Sequence, residues 1–218
     1  MPLRAILFDL DDTLHDKSAT LRAVAARQYT SADLHRFRVA PEAWVSRFLE
    51  LNNERIEKTE VFARLADTFD LRQSVQNELL HDFDTNLGKM ARPFPKAIEL
   101  LQACRSRGLK LGVVTNGRDG FQRSKTVGMG VHTLLDSVVT SGGFGSKKPD
   151  QRIFLACLKE LDVSPQDAAF VGDDFEADME PSLALGMVAI WKNEGRSERV
   201  AFCSDELDQI HAYLRSVA

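Results

Sequence analysis

An apolar run at Arg4–Asp9 (RAILFD) stops abruptly in acids. A run so short, apolar throughout its middle and cut off by carboxylates, predicts a strand buried on both faces. Similar runs recur at Lys110–Thr115 (KLGVVT), Asp136–Thr140 (DSVVT), Ala168–Gly172 (AAFVG) and Met187–Trp191 (MVAIW). Between them the apolar spacing is that of a helix. Pro95–Arg107 is followed by Gly108, a residue suited to the left-handed position after a helix. Pro149–Leu161 places Ile153, Phe154, Cys157, Leu158 and Leu161 on one face, and Glu176–Leu185 ends at Gly186. This alternation from residue 95 onward predicts an open, mostly parallel α/β sheet with right-handed crossovers and helices on both faces.

The texture differs between the first two strands. From about Ser18 to Asn86 only helix-period patterns occur, such as Leu21-Val24-Ala25-Gln28 and Val61-Phe62-Leu65-Ala66-Phe69, with breaks at Pro41 and Asn52-Asn53. No glycine precedes Gly88, which suits helix pairs better than hairpins. Roughly 70 residues are far too many for a βα connection. The segment 17–87 is therefore expected to be a separate all-helical domain, inserted into a core made of 1–16 and 88–218.

Composition narrows the classes. The 218 residues are 44% hydrophobic and 28% charged, ordinary for a globular protein. A formal net charge of -4 gives no electrostatic reason to expect a nucleic acid polymer or an anionic membrane as partner. The basic clusters are short, mixed with acids and expected to be solvated helix faces. The apolar run in MPLRAILFDL is too short for a signal-peptide core, and no stretch approaches the ~20 apolar residues of a membrane helix. Cys104, Cys157 and Cys203 are far apart and odd in number, which suggests neither a disulfide framework nor a CxxC metal site. A cytoplasmic, reducing location is expected.

Ligands of open α/β sheets bind beyond the carboxyl ends of the strands. Polar clusters fall there: Asp9-Leu10-Asp11-Asp12-Thr13, Thr115-Asn116-Gly117, Lys147-Lys148-Pro149, and Gly172-Asp173-Asp174 with Asp178. Carboxylates gathered on one edge repel one another unless a cation joins them. A hard divalent ion with oxygen ligands meets that need, and Mg²⁺ suits a site of few carboxylates plus water and phosphate.

In chain order, DLDDTL after an apolar strand, VVTNG, KKPD and VGDDFEAD resemble the four motifs of the haloacid dehalogenase superfamily. The helical insert after the first motif resembles the C1 cap of its phosphatase branch. The resemblance spans nearly the whole chain and implies a Rossmann-like core and a magnesium-dependent phosphatase acting on a small-molecule phosphomonoester. It implies Asp9 as the nucleophile forming an aspartyl-phosphate, and Asp11, two residues on and on the same side of an extended segment, as general acid and base. Thr115 would bind the phosphoryl group, helped by the N–H groups of Asn116 and Gly117. Lys148, which directly precedes Pro149 as the family lysine does, would neutralise the phosphoryl oxygens and Asp9. Asp9, the Asp11 carbonyl and Asp173 would bind Mg²⁺. Asp178 would orient metal-bound water or Lys148, and Asp174 is either turn chemistry or a ligand through water.

Other residues carry weaker expectations. His15 is expected at a hinge or on the surface, Trp44 and Trp191 in core packing, and Lys147 in solvent. Arg118 could meet an anionic substrate tail. Asp11 favours an oxygen leaving group, since halide departure needs no proton. A sugar phosphomutase of the same superfamily and an idle binding protein on the same fold stay open as alternatives. The substrate class, which includes sugar phosphates, glycolate-type phosphates and nucleoside monophosphates, is not encoded in any motif of the insert.

Overall fold

The computed structural model describes residues 3–54 and 56–217. It divides into two compact units: one comprises the chain up to Asp16 and from Pro93 onward, the other Lys17–Arg92. The return from the helical unit falls between Arg92 and Pro93 rather than between 87 and 88. A 3-10 turn at Gly88–Met90 extends the helical unit, and the Arg92 N–H donates to Thr20 Oγ1 at 2.9 Å.

In the first unit β1 is Ala5–Phe8. The second unit supplies α1 (Lys17–Ser31), α2 (Pro41–Asn53), α3 (Lys58–Phe69) and α4 (Gln73–Asn86). The first unit then resumes with α5 (Ala97–Ser106), β2 (Lys110–Thr115), α6 (Asp119–Gly128), β3 (Ser137–Thr140), the single turn α7 (Ser141–Phe144) and α8 (Gln151–Leu161). It ends with β4 (Ala168–Gly172), α9 (Glu180–Ala184), β5 (Val188–Trp191), β6 (Phe202–Cys203) and α10 (Leu207–Val217).

Among the described residues the sheet has six strands, all parallel, in the order β3-β2-β1-β4-β5-β6. This is the doubly wound, Rossmann-like order, and the direction of winding reverses at β1, where a crevice opens beyond the strand ends. Alternation along β1 divides the core between two faces. Ala5 and Leu7 join Phe154, Cys157, Leu158 and Phe170 in one cluster, leaving Ile6 and Phe8 for the opposite face; all are buried. Burial on both faces is why these strands read as unbroken apolar runs.

Two expected helices start later than the sequence suggests. Asp150 caps α8 by accepting the Arg152 N–H at 2.9 Å, which moves its first turn from Pro149 to Gln151. Lys96 is left-handed (φ 70°), so α5 begins at Ala97. The expected helix 176–185 is broken. Phe175–Met179 form a wide π turn, and only Glu180–Ala184 are α-helical. Pro181 has no N–H to continue an α-helical ladder, and the Met179 N–H reaches back five residues to Asp174 O at 3.4 Å, the π-type step. The two-residue strand β6 carries no periodic signal and was not expected.

The helical unit has its own aromatic core. Trp44, Phe48, Phe62 and Phe83 are buried with ring centroids 5.5–6.1 Å apart between neighbours. Trp44 Nε1 donates to Ala25 O at 3.0 Å, which gives this ring its expected place in core packing and satisfies its one polar group. Cys104 and Cys157 are buried filler, and burial pushes the Cys157 thiol up to about 12, an unreactive state. Among the described residues no helix is long and apolar enough to cross a membrane.

Candidate active site

Every sequence-predicted site residue lies in the first unit, at or just beyond the ends of β1, β2 and β4 or on the loop before α8. Asp9 follows β1 directly. Its N–H donates to Val171 O at 2.9 Å, extending the β1–β4 ladder by one rung and fixing the carboxylate over the crevice. The chain then turns sharply: the N–H groups of Leu14 and His15 both bond Leu10 O, and Asp12 is left-handed at φ 63°. Asp is among the few residue types that tolerate that conformation.

Lys148 lies between two carboxylates. Its Nζ pairs with Asp9 Oδ1 and stands 2.6 Å from Asp178 Oδ1, with only 4% of the residue exposed. Asn116 holds this lysine by its backbone. Its Oδ1 accepts the Lys148 N–H at 2.8 Å, and its Nδ2 donates to Lys148 O at 3.1 Å. The π turn aims Asp178 inward, where its Oδ2 also accepts the Asp174 N–H at 3.2 Å. The backbone before it must be glycine, because a Cβ on Gly172 would fall on the Asp178 carboxylate.

Asp173 accepts from Thr13 Oγ1 at 3.1 Å, and its carbonyl accepts Trp191 Nε1 at 2.8 Å. Asp174 is a cap: its Oδ1 accepts the N–H groups of Glu176 and Ala177, both at 3.0 Å. One carboxylate oxygen each from Asp9, Asp173 and Asp178 lie within 4.8 Å of one another. A triad of oxygen donors this close fits a hard divalent ion. It includes the Asp178 carboxylate, which the sequence assigned only to orienting other groups.

Electrostatics follow this crowding. Burial, reinforced by Asp9 and Asp12, raises the Asp173 carboxyl to about 7. Burial likewise outweighs Lys148 at Asp9, raising it to about 7, and pushes Asp178 upward. Burial alone would pull the Lys148 ammonium down, but Asp9 and Asp178 hold it above the ordinary lysine range. A carboxyl raised in the fold from 3.8 to about 7 binds a proton that the unfolded chain releases. The stability it contributes is full below about pH 4 and lost as pH rises through about 7. Without metal, the protein is expected to lose more stability between about pH 5 and about pH 8 than Asp173→Asn does, and saturating Mg²⁺ should remove most of that difference. Thermal melts of both proteins at the two pH values, with chelator and with Mg²⁺, check this; parallel pH slopes in chelator would refute it.

The second motif departs from expectation in one donor. Thr115 is buried, but the Gly117 N–H donates to Ser141 Oγ at 2.9 Å and so is not aimed at a phosphoryl group. Gly117 serves the turn instead: its φ is +143°, and a Cβ would meet Gln122 Cγ at 2.9 Å. Arg118 is exposed, its guanidinium 4.9 Å from the Phe121 ring centroid. Lys147 is exposed, in solvent as expected.

Several residues near these carboxylates carry no motif signal. His15, expected at a hinge or on the surface, is buried with Nδ1 2.6 Å from Asp11 Oδ1. Lys125 Nζ lies 2.8 and 2.7 Å from the two Asp11 oxygens. Gln122 Nε2 donates to Asp11 Oδ2 at 3.2 Å and to Thr115 Oγ1 at 2.7 Å. Burial would raise the Asp11 carboxyl, but Lys125 and His15 hold it well below the usual carboxylate range. Lys192 Nζ donates to Asp12 O at 3.1 Å and sits 3.8 Å from the Phe94 ring centroid. One signal could have found part of this set. The buried face of α6 is Gln122, Lys125 and Thr126, and a buried helix face made of polar residues needs polar partners.

Residues 3–186 match the family of haloacid dehalogenase-like hydrolases. The chain is 26% identical over 219 residues to a glyceraldehyde 3-phosphate phosphatase of Methanocaldococcus jannaschii, covering 86% of this chain and 84% of that protein. It is 29% identical over 211 residues to one of Methanothermobacter thermautotrophicus, covering 90% and 88%. Among solved structures, a HAD phosphatase from Thermococcus onnurineus superposes with a TM-score of 0.66 at 26% identity, over 97% of this chain and 98% of that one. With the doubly wound sheet and the carboxylates at its switch point, these matches place the chain in the haloacid dehalogenase-like hydrolase family.

Proposed function

We propose that this hydrolase is a Mg²⁺-dependent phosphomonoesterase that turns over a small phosphorylated metabolite through an aspartyl-phosphate on Asp9. The observation that carries the reading is the Asp9–Lys148–Asp178 arrangement beside Asp173 at the sheet's switch point. Asp9 Oδ attacks phosphorus in line with the departing alkoxide, and Asp11 gives that oxygen its proton. Water then attacks the aspartyl-phosphate, and Asp11 takes up the proton. Lys125 and His15, which hold the Asp11 carboxyl below the usual range, favour the ionised form required of that second step. Lys148 offsets charge on the phosphoryl oxygens, while Thr115 Oγ1, which already accepts from Gln122, keeps its own proton to donate to them. Of the two backbone N–H groups expected to donate, that of Asn116 remains.

Asp9 and Asp173 carboxylates with the Asp11 carbonyl, and Asp178 close by, would hold Mg²⁺. When bound, the ion neutralises the carboxylate–phosphate repulsion that otherwise opposes attack. The helical unit Lys17–Arg92 is read as the cap that excludes water and selects the substrate. The free cysteines are in keeping with a cytoplasmic location.

A panel of sugar, triose, glycolate-type and nucleoside monophosphates, assayed with and without Mg²⁺, tests the reading. Glyceraldehyde 3-phosphate leads the panel because two relatives carry it in their names. Mg²⁺-dependent phosphate release with kcat/KM of about 10⁴ M⁻¹s⁻¹ or more for one member is expected. Folded protein that releases no phosphate from any of them would overturn it.

A further inference from the structure

The carboxylate of Asp11 is held from three directions, and two of its partners come from one helix. Lys125 and Gln122 lie three residues apart on α6 and both face inward. The Lys125 ammonium reaches both oxygens, Gln122 reaches Oδ2, and His15 approaches Oδ1 from the loop. Asp11 itself is half-buried, whereas Lys125 is 5% exposed and Gln122 1%.

Removing an ammonium from water is costly, and an apolar side chain would fill a helix–core contact without that cost. The same helix face also ties the site together. Gln122 bridges Asp11 to Thr115, so the acid/base carboxylate and the hydroxyl expected at the phosphoryl group share one rigid donor. The half-buried Phe121 ring also packs on the lysine, its centroid 5.0 Å from Lys125 Nζ. Each carboxylate of the Asp9/Asp11 pair thus has its own buried lysine: Lys148 for the nucleophile and Lys125 for the acid/base.

We propose that Lys125, supported by Gln122, is a positioning residue that sets the orientation of the Asp11 carboxylate toward the leaving-group oxygen. The inference rests on the reading of Asp11 as the acid/base. A group that acts only by orienting Asp11 has nothing to orient once Asp11 can no longer transfer a proton. A lysine that merely supports the fold would be missed equally in either background.

The experiment is a double-mutant cycle of Lys125→Met and Asp11→Asn, assayed with Mg²⁺ on an alkyl phosphate and on an activated aryl phosphate. Lys125→Met alone is expected to lower kcat on the alkyl phosphate on the order of 10²-fold, with KM little changed. The loss on the aryl phosphate, whose leaving group needs no proton, should be much smaller. In the Asp11→Asn background the same substitution should cost less than about threefold. Should Lys125→Met fail to fold, Lys125→Gln carries the same cycle. Additive losses, or equal losses on the two substrates, overturn the inference while leaving the phosphatase reading intact. Failure of the unmodified protein to turn over either substrate overturns both.

Discussion

Asp9→Asn is expected to abolish turnover, lowering kcat by at least ~10⁴-fold on every substrate, with no phosphoenzyme detectable by mass spectrometry. An amide oxygen cannot replace a carboxylate as the attacking group, and no neighbouring acid is placed to substitute. Asp178 is bound to Lys148 and to the Asp174 N–H, Asp173 is held by Thr13, and Asp11 is held by Lys125. Folding should hardly change. Lys148 keeps its ion pair with Asp178, and the substitution removes a carboxyl that burial already pushes up to about 7. Substantial turnover by a well-folded Asp9→Asn protein would remove Asp9 as nucleophile.

The opposite balance is expected at Lys148. Lys148→Met leaves the buried carboxylates of Asp9 and Asp178 facing each other without their shared cation. Breaking a buried ion pair from one side costs about 3–5 kcal/mol, which for a chain of this length lowers Tm by roughly 6–20 °C. Activity should fall on the order of 10²–10³-fold, because a fixed positive charge at the phosphoryl group is lost. The destabilisation should be larger at about pH 8 than at about pH 5, where a carboxyl raised to about 7 takes up a proton and the repulsion is relieved. Mg²⁺ should restore part of the lost Tm if the two carboxylates share in holding it. Calorimetry across that pH range, with chelator and with Mg²⁺, separates these effects. An unchanged Tm in chelator would show that Lys148 does not offset the buried charge.

The two substitutions bear on different links between sequence and function. On the proposed roles Asp9 would matter for chemistry and little for folding, whereas Lys148 would matter for both, because one side chain would neutralise the site in the resting protein and the phosphoryl group during turnover. Lys125 would form a third class if the cycle is non-additive, acting through a carboxylate it orients. In each case the expected outcome follows from which partner is left without its countercharge.

How much was legible in the chain depended on the distance over which each feature is decided. The parallel sheet was readable because strands buried on both faces must be apolar along their middles, and AILF, the LGVV of KLGVVT and AAFVG satisfy that locally. Asp9, Thr115 and Asp173 were readable because each ends or follows such a run, and a doubly wound sheet gathers those ends at one edge. The all-helical character of the second unit was readable from its period and its lack of glycine. Gln122, Lys125 and His15 were not, since nothing local distinguishes a lysine that meets a carboxylate 114 residues away from one on a solvated face. The same holds for Ser141, which takes the Gly117 N–H across 24 residues and so removes an expected phosphoryl donor. The π turn that aims Asp178 at Lys148 depends on where Pro181 and Asp174 fall relative to the core, and helical periodicity does not record that. The sequence by itself determined strands β1 to β5, the order of their motifs and the acids at their ends, because burial and backbone pairing constrain neighbouring residues. Only the tertiary structure decided which cation stands beside which carboxylate, because charge pairing is settled by proximity in space between segments that folding brings together.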